Sequence, residues 1–176
     1  MDEALRVVYE MNQSVWSRLH SALEGLEDAE IDWRPLPEAN TINLIVRHLR
    51  IESAWHVDSL ERGEPMPTIA IAARQQEIDA AAFDFTENFQ QLTEFYRRFL
   101  QLLRTVTLDM LQQRSAMAYS DATGIRGQRH LLAYHQAMHV ATHCGQIRTI
   151  RNLYRKTRGE PARFFPENPT YPPQLH

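Results

Sequence analysis

The segment HQAMHVATHCGQ, residues 135–146, sets His135, His139 and His143 at strict four-residue intervals. Neutral imidazole is a good ligand for zinc, nickel, iron or copper, at about 2.0–2.1 Å for zinc. Residues four apart on a helix lie about 6 Å apart along its axis, on nearly the same face, so two of these rings can converge on one ion. The whole ladder spans about 12 Å, too far for all three rings to share it. A pair from the ladder therefore needs a third ligand from another helix, and His48, in NLIVRHLRIESAWH, is a candidate. Three protein ligands and an open position are the usual arrangement of a catalytic zinc site. The other reading is three core or boundary histidines held by hydrogen bonds. Burying imidazoles without partners costs on the order of a few kcal/mol each, a cost that ligation largely removes. Spacing alone leaves both readings open. Val140 follows His139, so the H-E-x-x-H pattern of zincin proteases, with its built-in general base, is absent.

Other side chains near the ladder have plainer readings. Glu52 follows His48 by four residues, among Ile45, Leu49 and His56, and a carboxylate in such surroundings demands a partner. An ion pair with an arginine is its first reading; an acceptor for a metal-bound imidazole and a fourth ligand are the others. His56 reads as a boundary residue. Cys144, the single cysteine, lies about 100° round the helix from His143 and reads as a buried, inert thiol. Gln146 falls on the apolar stripe, where it can orient His143 or brace a neighbouring helix. Arg148, Arg151, Arg155 and Arg158 complement the dipole at a helix C-terminus. His20, His130 and His176 belong to no such pattern and read as solvated.

Helices have to position these groups. Leu5, Val8, Met11, Val15, Leu19, Ala22 and Leu26 recur at helical spacing and predict a first helix over about 2–26. Pro35 and Pro37 interrupt the chain, Asn40 or Thr41 can cap a second helix over 42–62, and Gly63 stops it. Residues 63–83 read as a long connection with one short helix. Asp84-x-x-Glu87 resembles a capping box opening a third helix to about residue 106, with a helical turn expected near 108–113. Gly124 and Gly127 mark a loop. A last helix over 128–157 ends before Gly159 and Pro161. Advancing about 100° per residue from Leu132, all three ladder histidines fall on the apolar stripe that carries Ile150 and Leu153. No stretch alternates with period two. The pattern predicts an all-α fold: a four-helix bundle with a long crossover connection and an extended Pro-rich C-terminal tail, a strap whose Phe164, Phe165 and Tyr171 pack on the bundle or on a second subunit.

At 176 residues, 43% apolar and 23% charged, the chain suits one domain over 1–176. A formal net charge of −3 gives no electrostatic footprint for nucleic acid or an anionic membrane. No run approaches a membrane span, and the acidic N-terminal segment MDEALRVVYEMNQS is not of signal-peptide type. One cysteine excludes an internal disulfide and a Cys-rich zinc knuckle, and fits a reducing cytoplasm.

DWRPLPEANTINLIVRHL and HQAMHVATHCGQIRTIR together resemble the DinB-like family of bacterial four-helix-bundle proteins. The matching positions are Trp33 and Pro35, Asn40 to Ile42 with His48, and His139 and His143 leading into Gly145 and Gln146. The likeness spans most of the chain, with Cys144 where the family often has arginine. It implies a divalent transition metal, zinc or nickel first and iron or manganese next, held by His48, His139 and His143 with one position open. His135, one turn away, then becomes a pocket-lining or hydrogen-bonding neighbour, and His135 and Glu52 become the candidate proton shuttles. Family members include S-transferases and isomerases that use low-molecular-weight thiols such as bacillithiol or mycothiol, and others called metal-dependent hydrolases. The resemblance therefore implies a small-molecule substrate, with a thiol cosubstrate or water activated by the metal. Members are often dimers, so a homodimer is a further expectation. A metal-binding stress or accessory protein without turnover, and a bundle without metal, are the competing classes.

Overall fold

Local chemistry sets the helix limits. Thr41 Oγ1 accepts from Leu44 N at 3.0 Å, so Thr41 rather than Asn40 caps the second long helix. The Asp84 side chain accepts from Glu87 N at 2.7 Å, as the capping-box spacing predicts. At the other end of the chain, Gly159 adopts φ +74°. Its N–H donates to Lys156 O at 3.1 Å and Glu160 N–H to Arg155 O at 2.9 Å, the paired bonds of a Schellman stop.

The computed structural model describes residues 3–62, 76, 84–107, 109–110 and 129–161. Its helices are α1 (Glu3–Leu23), α2 (Asp28–Ile31), α3 (Ile42–Arg62), α4 (Phe85–Thr105) and α5 (Arg129–Thr157), with no strand among the described residues. The four long helices form the expected bundle. The expected connection at 63–83, apart from Gln76, lies outside the described residues. So do the loop at 118–128 and the tail with Phe164, Phe165 and Tyr171. Of the turn expected at 108–113, Asp109 and Met110 are described and helical.

Two elements depart from expectation. The first helix stops at Leu23 although Leu26 continues its apolar period, because Gly25 takes φ +63° and turns the chain. The short α2 follows, without a side-chain cap.

Cross-contacts give the helix directions. Asn12 Nδ2 donates to Ala133 O at 3.0 Å, and Arg151 donates to Ala22 O at 2.7 Å, so α1 and α5 run parallel. Arg50 meets Gln91 at 3.1 Å and Arg98 meets Glu61, so α3 and α4 also run parallel. The two pairs oppose each other: Tyr96 OH donates to Asn12 O, while Arg104 donates to Tyr9 OH. Parallel neighbours joined directly in sequence, α3 to α4, require a connection that travels the bundle's length, about 30 Å for such helices. The parallel run of α3 and α4 agrees with the expected long crossover between them.

Leu19, Ile42, Ile45, Leu49, Leu92, Tyr96, Val140 and Ile147 fill one half of the core, and Leu5, Val57, Leu60, Phe99 and Leu103 the other. The Tyr96 ring stacks on Trp16 at 4.4 Å. Arg151 does more than complement a dipole. It is buried, pairs with Glu30 at 2.9 Å, and donates to the carbonyls of Ala22, Glu24 and Gly25 at 2.7, 2.8 and 3.0 Å. Arg158 pairs with Glu27 and with Glu160. These bonds fasten the end of α1 and its exit loop to α5. No described helix is long and apolar enough to cross a membrane.

Candidate metal centre

Antiparallel packing of α3 against α5 brings His48 of α3 onto the histidine ladder of α5. His48 Nε2 lies 2.9 Å from His139 Nε2, and His143 Nε2 lies 2.9 Å from the same atom. The three ring centroids are 4.6–4.9 Å apart and the rings meet edge to face. One nitrogen from each residue lies within 4.8 Å of the others.

The protonation pattern suits a ligand set. His143 Nδ1 lies 2.7 Å from Gln146 Oε1. An amide oxygen only accepts, so the proton of neutral His143 sits on Nδ1 and its Nε2 lone pair faces His139. Burial pushes the His139 pKa down to about 2, with the charges of His143 and His48 adding to the shift. Burial also lowers His143, against the opposing bond to Gln146. His139 is therefore a neutral imidazole at physiological pH, the form that ligates. A single proton on His139 Nε2 can satisfy only one of its two 2.9 Å contacts. A divalent cation satisfies both: nitrogens about 2.1 Å from a tetrahedral ion are about 3.4 Å apart, so the rings need separate by only about 0.5 Å to hold one. The three residues fit such an ion.

His135, too far along the axis to join, turns instead to α3. Its Nδ1 lies 3.1 Å from His56 Nε2, and its ring stacks on His139 at 5.5 Å. His56 is buried, 1% exposed, which corrects its reading as a boundary residue. Burial first, then the charge of His135, brings its pKa to about 3, with Gln136 opposing. Glu52 is buried on α3 between His48 and His56. It is not among the convergent ligands in the described residues. Reading the ladder alone missed the His56–His135 contact. The available signal was a second ladder on α3, His48–Glu52–His56, which an antiparallel neighbour sets against His143–His139–His135.

Cys144 faces away from this cluster. It is buried in the core against α1, its Sγ donates to Arg18 O at 3.5 Å, and burial raises its pKa. Gln146 is exposed and serves His143, not a neighbouring helix. His20 is exposed, as expected, and packs edge-on against Trp16 at 4.5 Å.

Residues 10–156 match the family model described as mycothiol-S-transferase. No curated protein matches the chain. Among solved structures, the fold is similar to YfiT from Bacillus subtilis, described as a probable metal-dependent hydrolase with an unusual four-helix bundle topology. The TM-score is 0.58, at 18% identity over 91% of each chain. That likeness concerns the fold. The family match covers most of the chain and takes in His48, His139 and His143 together, and on it the chain belongs to the mycothiol-S-transferase family.

Proposed function

We propose that the protein is a metal-dependent enzyme that transfers a low-molecular-weight thiol to a small electrophile, with His48, His139 and His143 holding a divalent transition metal. Zinc or nickel suits three imidazoles best, and iron or manganese can also be held. The observation that carries this reading is the convergence of three Nε2 atoms in a chain of this family. When bound, the ion supplies Lewis acidity that lowers the pKa of a thiol or water in its open position.

The residues of the chain do the rest. His139 and His143 reach the centre from one helix face, and His48 closes it from the facing helix. Gln146 keeps the proton of His143 on the outer nitrogen. His135, half-buried one turn away and stacked on His139 at 5.5 Å, is the first candidate to take up the proton of the incoming thiol. Glu52, buried on α3 four residues from His48, is the second candidate for moving that proton. Cys144 is turned toward α1, so the reacting sulfur is the cosubstrate's. In this reading the thiol comes from a cytoplasmic pool.

The test is a thiol-transfer assay with mycothiol and a model electrophile, on protein reloaded with zinc and on chelated protein. Zinc-dependent transfer supports the reading. Stoichiometric metal without transfer of any thiol, or hydrolysis alone, moves the protein to a binding or hydrolytic role.

A further inference from the structure

His56 and His135 make a second histidine contact that the metal centre does not use. His56 Nε2 lies 3.1 Å from His135 Nδ1, and neither residue belongs to the convergent set. Behind His56 lie Gln136 and Ser53, both buried, where Gln136 Nε2 donates to Ser53 Oγ at 2.8 Å. With its amine end on Ser53 Oγ, the amide leaves its carbonyl oxygen for another donor. Gln136 Oε1 and His56 Nδ1 are both buried and neither makes a hydrogen bond, although the Gln136 side chain is close enough to His56 to oppose the fall of its pKa. Since an amide oxygen only accepts, a proton on His56 Nδ1 is the tautomer that lets these two buried atoms satisfy each other. His56 Nε2 is then an acceptor, and His135 Nδ1–H is its donor. Ser53, Gln136 and His56 are thus buried polar side chains behind His135, the half-buried ring stacked on His139.

We propose that His56, backed by Gln136 and Ser53, is a positioning residue that fixes the tautomer and orientation of His135, so that His135 Nε2 meets the donor group of a substrate at the three-histidine centre. This rests on the centre's being a site of thiol transfer. It adds a buried polar chain, reaching across α3 and α5, to the ion-holding residues. The chain is separate from the Gln146 contact, which serves His143 on the exposed side.

The test uses the full chain loaded with zinc, comparing wild type with His56→Phe, His56→Gln and Gln136→Met. Two-bond proton–nitrogen NMR correlations read the His135 tautomer. Wild type and His56→Gln, which keeps an acceptor facing His135, hold the proton on Nδ1. His56→Phe and Gln136→Met shift it toward Nε2. All four proteins bind one zinc. In thiol transfer, His56→Phe lowers kcat by about 10–100-fold, the usual range for removing such a supporting bond, with KM little changed; His56→Gln restores most of it. An unchanged tautomer in both His56→Phe and Gln136→Met overturns the proposal, as does unchanged kcat. Loss of zinc from well-folded His56→Phe also overturns it, by making His56 part of the ion-holding set. So does a second zinc in wild type that His56→Phe abolishes. If His56→Phe does not fold, Gln136→Met decides. If the wild type transfers no thiol, the functional reading fails while the tautomer comparison still decides the positioning.

Discussion

Gln146 Oε1 accepts from His143 Nδ1 at 2.7 Å, three residues along the same helix. This is the supporting bond that metal-ligating histidines characteristically make, and it raises the ring's basicity while fixing its tautomer. Because Gln146 is exposed, its removal leaves the core untouched. Gln146→Ala is expected to weaken zinc binding by about 10–100-fold in competition with a chromogenic chelator. Gln146→Glu, whose carboxylate is a stronger acceptor, retains wild-type affinity or improves on it.

Burial of His56 makes the metal-free protein acid-sensitive. Its pKa falls from 6.5 to about 3 on folding, so between those values the unfolded chain binds the extra proton. Stability conferred by the neutral ring is fully present above pH 6.5 and is lost as pH falls below it, by about 1.4 kcal/mol per pH unit. Urea unfolding of chelated protein at pH 7.5, 6 and 5 measures this. His56→Phe lacks the proton and has a shallower pH dependence, by about 1.4 kcal/mol per unit; parallel curves for the two proteins contradict the assignment.

Arg151 is buried against Glu30 and three backbone carbonyls. Arg151→Ala leaves a buried carboxylate and those carbonyls without their donor. Breaking a buried ion pair by removing one partner costs about 3–5 kcal/mol. The expected result is that loss in urea unfolding, with metal content per folded chain unchanged, because Arg151 lies two turns beyond His143 on α5.

Cys144 packs against α1 with its thiol on Arg18 O. Cys144→Ala is expected to retain thiol transfer within about 2-fold while losing on the order of 1 kcal/mol of stability. A large loss of transfer in a stably folded variant gives Cys144 a part in the chemistry.

Local chemistry made several features legible in advance. Thr41 and Asp84 cap their helices as their side chains dictate, and the four-residue step of His139 and His143 implies a shared face. The pairing of His56 with His135 was hidden because it depends on which helix faces α5 and in which direction. That direction is set by contacts far apart in sequence, such as Asn12 to Ala133. Arg151 was misread for a similar reason. Its partners, Glu30 and the loop after α1, reach it only once α1 and α5 lie parallel. The early end of α1 follows from the positive φ of Gly25, which overrides the apolar period continuing to Leu26.

The central claim is that His48, His139 and His143 hold one divalent transition metal. Elemental analysis of protein purified without chelator, alongside His48→Ala, His139→Ala and His143→Ala, tests it most directly. The structure predicts about one ion per folded wild-type chain, and folded variants that retain little or none, with His139→Ala the most complete loss. Metal-free wild type that takes up no zinc, nickel, iron or manganese, or variants that retain full stoichiometry, would contradict it.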